Sequence, residues 1–159
     1  MENKFGPPAS RRRAIQLGIG GIALAALSKG AAATGNEVAV VMEELFGSAP
    51  IGDGRVVIEL PKLVESGNSV PLEVRVESPM TEADHVSRLV VLAEQNPRPK
   101  IVEAFFSPAS GEAFLETRIR LAGTQGVMAV ARMSDGSLWR ARQEIEVIVG
   151  ACKPPPVRQ

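Results

Sequence analysis

Hydrophobic residues follow two different periods along the chain, one before and one after Gly54. Before it, apolar residues recur every three or four positions between Val38 and Leu45, which places them on one face of a helix. Asn36 can cap this helix and Gly47 can end it. After it the period becomes two, because side chains of a strand point alternately to opposite faces. The pattern therefore predicts one short N-terminal helix followed by an all-β region.

The strand predictions depend on this alternation and on the turn residues between the runs. At 70–76, valine and leucine alternate with proline and charged residues, so one face is predicted to be buried and the other wet. The nearly continuous apolar run at 88–93 is typical of a central strand, and 134–137 is a good hairpin loop. About seven strands are predicted: 55–60, 70–76, 88–93, 100–106, 112–121, 127–133 and 138–149.

Seven short strands at this spacing favour an immunoglobulin-like antiparallel β-sandwich with a short N-terminal helix. The chain has a single cysteine, so an inter-sheet disulfide is excluded and apolar burial alone must hold the sandwich together. A sandwich also has edge strands with unpaired backbone groups. We expect these edges to be covered by the N-terminal helix or by a partner subunit.

The N-terminal segment has the pattern of an export signal. Consecutive arginines at 11–13 precede a Gly- and Ala-rich apolar run at 18–27, which resembles a twin-arginine signal. The alternative, a membrane anchor, is disfavoured because the run is too short to span a bilayer. Cleavage after the small residues that precede residue 34 would release a periplasmic protein. The sequence thus predicts a signal peptide at 1–33, a domain at 34–149 and a C-terminal arm at 150–159.

Composition excludes several classes of function. Lysine and arginine together number 18, as do aspartate and glutamate, so the chain has no excess of positive charge for binding nucleic acid. There is no tyrosine and little other aromatic content, so no surface on which bases could stack is evident. No phosphate loop, Cys-X-X-Cys motif, haem motif or nucleophile–base pair is present, so we expect no enzyme and no metal. His85, beside Asp84, is interpreted as a loop residue, and Trp139, Phe105 and Phe106 as core or interface residues.

Cys152 is the candidate for covalent chemistry. It follows the last predicted strand and lies in the polar, Pro-rich segment 150–159, where a buried structural role is disfavoured. Its position excludes lipid attachment, which requires a cysteine directly after the signal or three residues from the end. Lys153 should favour the thiolate, the reactive form of the side chain. The residues that flank Cys152 in the arm are Gly150, Ala151 and Lys153.

Five segments together resemble the SoxY family, in the same order along the chain and over nearly all of the mature part. The resemblance rests on the residues 78–86 (SPMTEADHV), 92–97 (LAEQNP), 107–111 (SPASG), 117–122 (TRIRLA) and 133–136 (MSDG). It implies a periplasmic sulfur carrier of sandwich fold, paired with a SoxZ-like subunit. In that family a cysteine near the C-terminus carries thiosulfate-derived sulfur covalently, and Cys152 matches its position. Covalently bound sulfur is then the only group the protein carries, with no other cofactor.

The resemblance also implies three transient protein partners and no membrane. A c-type cytochrome conjugates thiosulfate to the cysteine, a hydrolase releases sulfate, and a sulfur dehydrogenase oxidises the remaining sulfur. A cysteine on a tether is suited to serve these three enzymes, because it can enter their active sites in turn.

The arm departs from the family pattern. The family usually ends Gly-Gly-Cys-Gly-Gly, whereas this chain reads Gly150-Ala151-Cys152-Lys153 and continues into three prolines, which favour a stiff, extended segment. This departure leaves two interpretations open: a working carrier that serves enzymes with wider entrances, or a divergent SoxY-like module that only binds a partner. Independently of the tail, an enzyme such as a thiol peroxidase or sulfurtransferase is the third hypothesis, which would require turnover by the isolated chain.

Overall fold

The computed structural model describes residues 34–151, which contain one α-helix, one short 3₁₀ helix and nine strands. The helix α1 spans Thr34–Phe46 and the 3₁₀ helix spans Pro108–Ser110. The strands are β1 Ile51–Asp53, β2 Val56–Glu59, β3 Leu63–Ser66, β4 Val70–Val76, β5 Val86–Ala93, β6 Lys100–Phe105, β7 Ala113–Ile119, β8 Gln125–Met133 and β9 Leu138–Val149.

The strands form two sheets. The larger sheet has the order β1-β9-β8-β5-β6, with β3 also paired to β9, and the smaller sheet has the order β2-β4-β7. Pairing within the β5–β6, β5–β8, β8–β9, β2–β4 and β4–β7 neighbours is antiparallel. The loop at 134–137 joins β8 to β9, as the sequence predicts.

The core lies between the inner faces of the two sheets. In β4, Val70, Leu72, Val74 and Val76 are buried and the residues between them are exposed, because alternate side chains of a strand face opposite sides. They share one apolar cluster with alternate residues of β5, β8 and β9, such as Leu89. Burial of these side chains is the main force that holds the sheets together.

Helix α1 covers the outer face of the larger sheet. Its buried Val38 packs in a second apolar cluster with Val90 and Leu92, so β5 is buried on both faces. This explains the continuous apolar run of β5. The helix therefore covers a face of the sheet and not an edge, so the expectation that it covers an edge strand was wrong. Coverage of the edges by a partner subunit stays a prediction. Within the described residues, no strand pairs with the outer edge of β6 or β7.

The all-β fold with a short N-terminal helix is confirmed, whereas its immunoglobulin-like classification stays a prediction. The expected number of strands was wrong, since β1 and β3 were missed, and these two pair parallel with β9. Each has only three or four residues and so is too short to show a period of two. The helix begins at Thr34, so the expected cap position at Asn36 was wrong and this residue lies within the helix. Within the described residues no helix is long and apolar enough to cross a membrane.

Candidate functional site

The last described residues are held against the body of the domain by backbone hydrogen bonds. The amide of Ala151 donates to the carbonyl of Leu121 at 2.9 Å. The amide of Leu121 in turn donates to the carbonyl of Gly67 at 2.9 Å, and the amide of Gly67 donates to the carbonyl of Val149 at 2.8 Å. Three segments far apart in sequence thus meet where β9 ends. We call Gly67, Leu121, Ala122, Gly150 and Ala151 the arm root.

Two glycines allow this close approach. A methyl group built on Gly150 would overlap the carbonyl oxygen of Ala122, and one built on Gly67 would overlap that of Leu121 and come within 3.2 Å of the Ala151 amide nitrogen. Neither site has room for a side chain without movement of the backbone. Gly123, in the same loop, has no atom within 4 Å of the position a methyl group would take. Gly67 and Gly150 are therefore required by contact, and Gly123 is not.

A buried polar pair supports the loop that holds Ala151. The side-chain amide of Asn96 donates to the carbonyl of Arg120 at 2.8 Å, and its oxygen accepts from the amide of Ala122 at 2.8 Å. Gln125 donates to the same oxygen at 3.1 Å and accepts from the Gln95 amide at 2.8 Å. Both Asn96 and Gln125 are buried. Since buried polar groups are costly when unpaired, this network fixes the backbone on both sides of Leu121.

An ion pair crosses the outer face of the larger sheet beside this loop. Arg142 of β9 donates to both carboxylate oxygens of Glu94, at 2.6 and 2.8 Å, and to Glu144 at 2.6 Å. The hydrogen bond from Arg142 lowers the pKa of Glu94 below its ordinary value, and the two carboxylates raise the pKa of Arg142. A methyl group on Gly126 would overlap both the Arg142 and the Glu94 side chain. Gly126 therefore leaves the space in which the pair forms.

Two of the predicted site residues are described by the structure and two are not. Gly150 and Ala151 belong to the arm root, and Cys152 and Lys153 lie outside the described residues. The signal peptide at 1–33 also lies outside them. Sequence reasoning missed Gly67, Asn96 and the loop at 121–122 as neighbours of the arm. The segments LAEQNP and TRIRLA, which carry the family resemblance, contain two of these three, but no local pattern indicates that they meet.

His85 and Asp84, candidates by residue type for a metal or acid–base role, contact other residues of the domain. His85 lies in a loop, where its Nδ1 is 3.0 Å from the carbonyl oxygen of Thr81, and Asp84 is 3.5 Å from Arg55. Among residues 34–151, no three histidine, cysteine, aspartate or glutamate side chains are grouped so that they could hold a metal ion.

The aromatic residues divide between core and surface. Trp139 and Phe106 are half-buried and pack against the core, as expected for packing residues. Phe105, at the end of edge strand β6, is 73% exposed. The Arg88 guanidinium lies 5.9 Å from the centre of its ring.

Comparison with solved structures finds the same fold in a sulfur carrier. The sulfur carrier protein SoxY from Chlorobium limicola f thiosulfatophilum matches with a TM-score of 0.60 and 24% identity, over 70% of this chain and 96% of that one. A variant of superoxide reductase (neelaredoxin) from Ignicoccus hospitalis matches with a TM-score of 0.53 and 23% identity, over 58% and 78% of the two chains. A putative superoxide reductase from Thermotoga maritima gives 0.53 and 21%, over 62% and 93%. At these identities the likeness concerns the fold alone.

The family itself is identified by a sequence model. No match was found among curated proteins. The model of the sulfur oxidation protein SoxY matches residues 42–152, a range that begins in α1, includes the whole sandwich and ends on Cys152. Because this range covers more than half of the sequence, the chain belongs to the SoxY family.

Proposed function

We propose that this protein is a periplasmic sulfur carrier that holds thiosulfate-derived sulfur covalently on Cys152. The observation that carries the proposal is that the family match extends to Cys152, one residue beyond the amide that the arm root anchors. A role in sulfur oxidation follows from membership of the family. The attachment residue, the compartment and the partners are the finer parts of the proposal.

In the proposed reaction sequence the carrier contributes only the thiol of Cys152. Attachment joins the Cys152 sulfur to the outer sulfur of thiosulfate, releases the thiol proton and transfers two electrons to an oxidant. A c-type cytochrome supplies that oxidant in the proposed scheme. Hydrolysis of the terminal sulfur–sulfonate bond then releases sulfate and leaves a persulfide, which a sulfur dehydrogenase can oxidise further. The carrier therefore needs no acid–base residues of its own.

The arm root limits how far Cys152 can reach. Adjacent Cα atoms are about 3.8 Å apart, and the amide of Ala151 is bonded to Leu121. The tether that precedes the thiol is thus a single peptide unit while this bond persists. A client enzyme must either approach the body of the carrier closely or detach Gly150 and Ala151 from the arm root. This differs from the long tether that the sequence suggests.

Intact mass of the folded protein tests the proposal. The chain, paired with its SoxZ-like subunit, is incubated with thiosulfate and the conjugating cytochrome. Its intact mass is then measured by mass spectrometry before and after reduction. We expect a reducible thiosulfonate adduct on the natural chain and none on Cys152→Ser, with both folded alike. An adduct that survives in Cys152→Ser would refute attachment at this residue. Mass of the protein from its source cells also tests export, which should leave a chain that begins at Thr34.

One departure in sequence favours a second candidate, a divergent SoxY-like module that binds its partner without carrying sulfur. Lys153 and the three prolines after it replace the usual glycines, and a narrow active-site entrance could reject them. This candidate predicts stable pairing with a SoxZ-like subunit and no adduct on Cys152 under the same conditions. The mass measurement and a pairing assay by gel filtration together separate the two.

A further inference from the structure

One side of the sandwich is open between the two sheets. Edge strand β6 of the larger sheet and edge strand β7 of the smaller sheet border a cleft of about 600 Å³. Its apolar lining includes Ile101, Val102 and Ile119, and the first two of these are half-exposed. Edge strands with exposed backbone groups and apolar side chains are surfaces on which other proteins bind.

The cleft carries positive charge only. Its charged lining residues are Arg98, Lys100, Arg118 and Arg120, with no carboxylate among the lining residues. The formal charge of the whole chain is zero, so this excess reflects local arrangement. Lys100 is paired with Glu103 at 2.7 Å, and Arg118 donates to Ser69 at 2.7 Å. Within residues 34–151, Arg98 and Arg120 form no ion pair.

This cationic cleft lies next to the arm root. Arg120 directly precedes Leu121, whose carbonyl holds Ala151, and Asn96 lines the cleft while its side chain bonds the amide of Ala122. A protein seated in the cleft would therefore contact the carrier beside the point from which Cys152 extends. While the arm root is closed the tether is one peptide unit long, so an enzyme that acts on Cys152 in this state must occupy surface close to this point.

We propose that the cationic cleft is the docking surface for an enzyme that acts on Cys152, and that it binds a carboxylate-rich surface of that enzyme. The inference rests on the proposed function and adds where the client binds and by what chemistry. Complementary charge mainly accelerates encounter, and a rim of unpaired arginines suits a contact that forms and breaks once per cycle. The apolar side chains between the edge strands, among them Ile101 and Val102, then pack against the bound enzyme.

Steady-state kinetics of sulfur loading test the docking surface. The carrier, with its partner subunit, is the varied substrate of the conjugating cytochrome, and the double variant Arg98→Glu/Arg120→Glu is compared with Arg132→Glu. Arg132 is an exposed arginine of β8 that also forms no ion pair within the described residues, and it lies at the end of the sandwich remote from the arm root. We expect the KM for the carrier to rise by about tenfold or more in the double variant at low salt. The kcat and the parameters of Arg132→Glu should not change.

Gel filtration of the double variant separates docking from pairing: if it no longer pairs with its SoxZ-like subunit, the cleft is the interface with that subunit and the docking inference is refuted. If the double variant loads with an unchanged KM, or if Arg132→Glu raises KM equally, the docking surface is refuted while the carrier function stands. If the natural chain accepts no sulfur, the proposed function fails and the docking inference fails with it. A rise in KM that disappears at high salt supports the charge-based contact, since salt screens exposed charges.

Discussion

Replacement of Gly150 by alanine tests whether the arm root holds the C-terminal arm. The added methyl group would overlap the carbonyl oxygen of Ala122, so either the loop moves or residues 150–151 leave it. Departure removes the hydrogen bond from Ala151 to Leu121, whose net contribution is about 0.5–1.5 kcal/mol, and a forced fit costs about 1–3 kcal/mol. We therefore expect Gly150→Ala to lower the free energy of opening of the arm root by about 1–1.5 kcal/mol, where the two ranges overlap.

Amide hydrogen exchange measured by NMR reports this opening directly. An opening free energy lower by about 1.4 kcal/mol accelerates exchange of the Ala151 amide about tenfold. Urea denaturation measures the accompanying change in global stability. The matched control is Gly123→Ala, which has open space and a φ outside the left-handed region, so it should be neutral or stabilising by up to about 1 kcal/mol. Equal exchange of Ala151 in the two variants would refute the steric account.

Two further variants test the surroundings of the arm root. Asn96→Ala leaves backbone groups of the loop 120–122 without partners and should lower the free energy of unfolding by about 2–4 kcal/mol. Urea denaturation measures this, and Gln95→Ala, whose exposed side chain takes no part in the network, should cost little; equal losses would contradict the network. Arg142 lowers the pKa of Glu94, so the pair stabilises the fold above the ordinary glutamate pKa and less as pH falls through the lowered one. Unfolding free energy should therefore fall less between about pH 7 and about pH 3 in Glu94→Gln than in the natural chain, and identical profiles would contradict this.

The fold was largely predictable because long runs carry a clear period. β4 alternates over seven residues, and β5 is continuous because α1 covers its second face, so both appear in the sequence pattern. β1 and β3 escape prediction because so few residues define no period. They exist because each pairs with a part of β9, a contact that no local pattern contains.

The candidate site was predictable only in its chemistry. A lone Cys152 after the last strand, with a neighbouring lysine, is visible in the sequence. The contacts that hold the preceding residues are not, because they join positions near 67, 121 and 150. Asn96 illustrates the difficulty, since Asn-Pro is typical of a turn, and burial of the asparagine depends on where the loop after β7 arrives.

The position of Gly67 at the end of β3 has a consequence for folding. Gly67 bonds both Leu121 and Val149, so the arm root joins the first third of the domain to its last residues. Such non-local contacts are slow to form, because the entropy of the intervening chain is lost before the contacts stabilise the fold. During synthesis the root cannot close until the residues after β9 have left the ribosome. The arm root can therefore close only in a chain whose whole domain has been synthesised, and its closure reports that the two ends of the domain have come together.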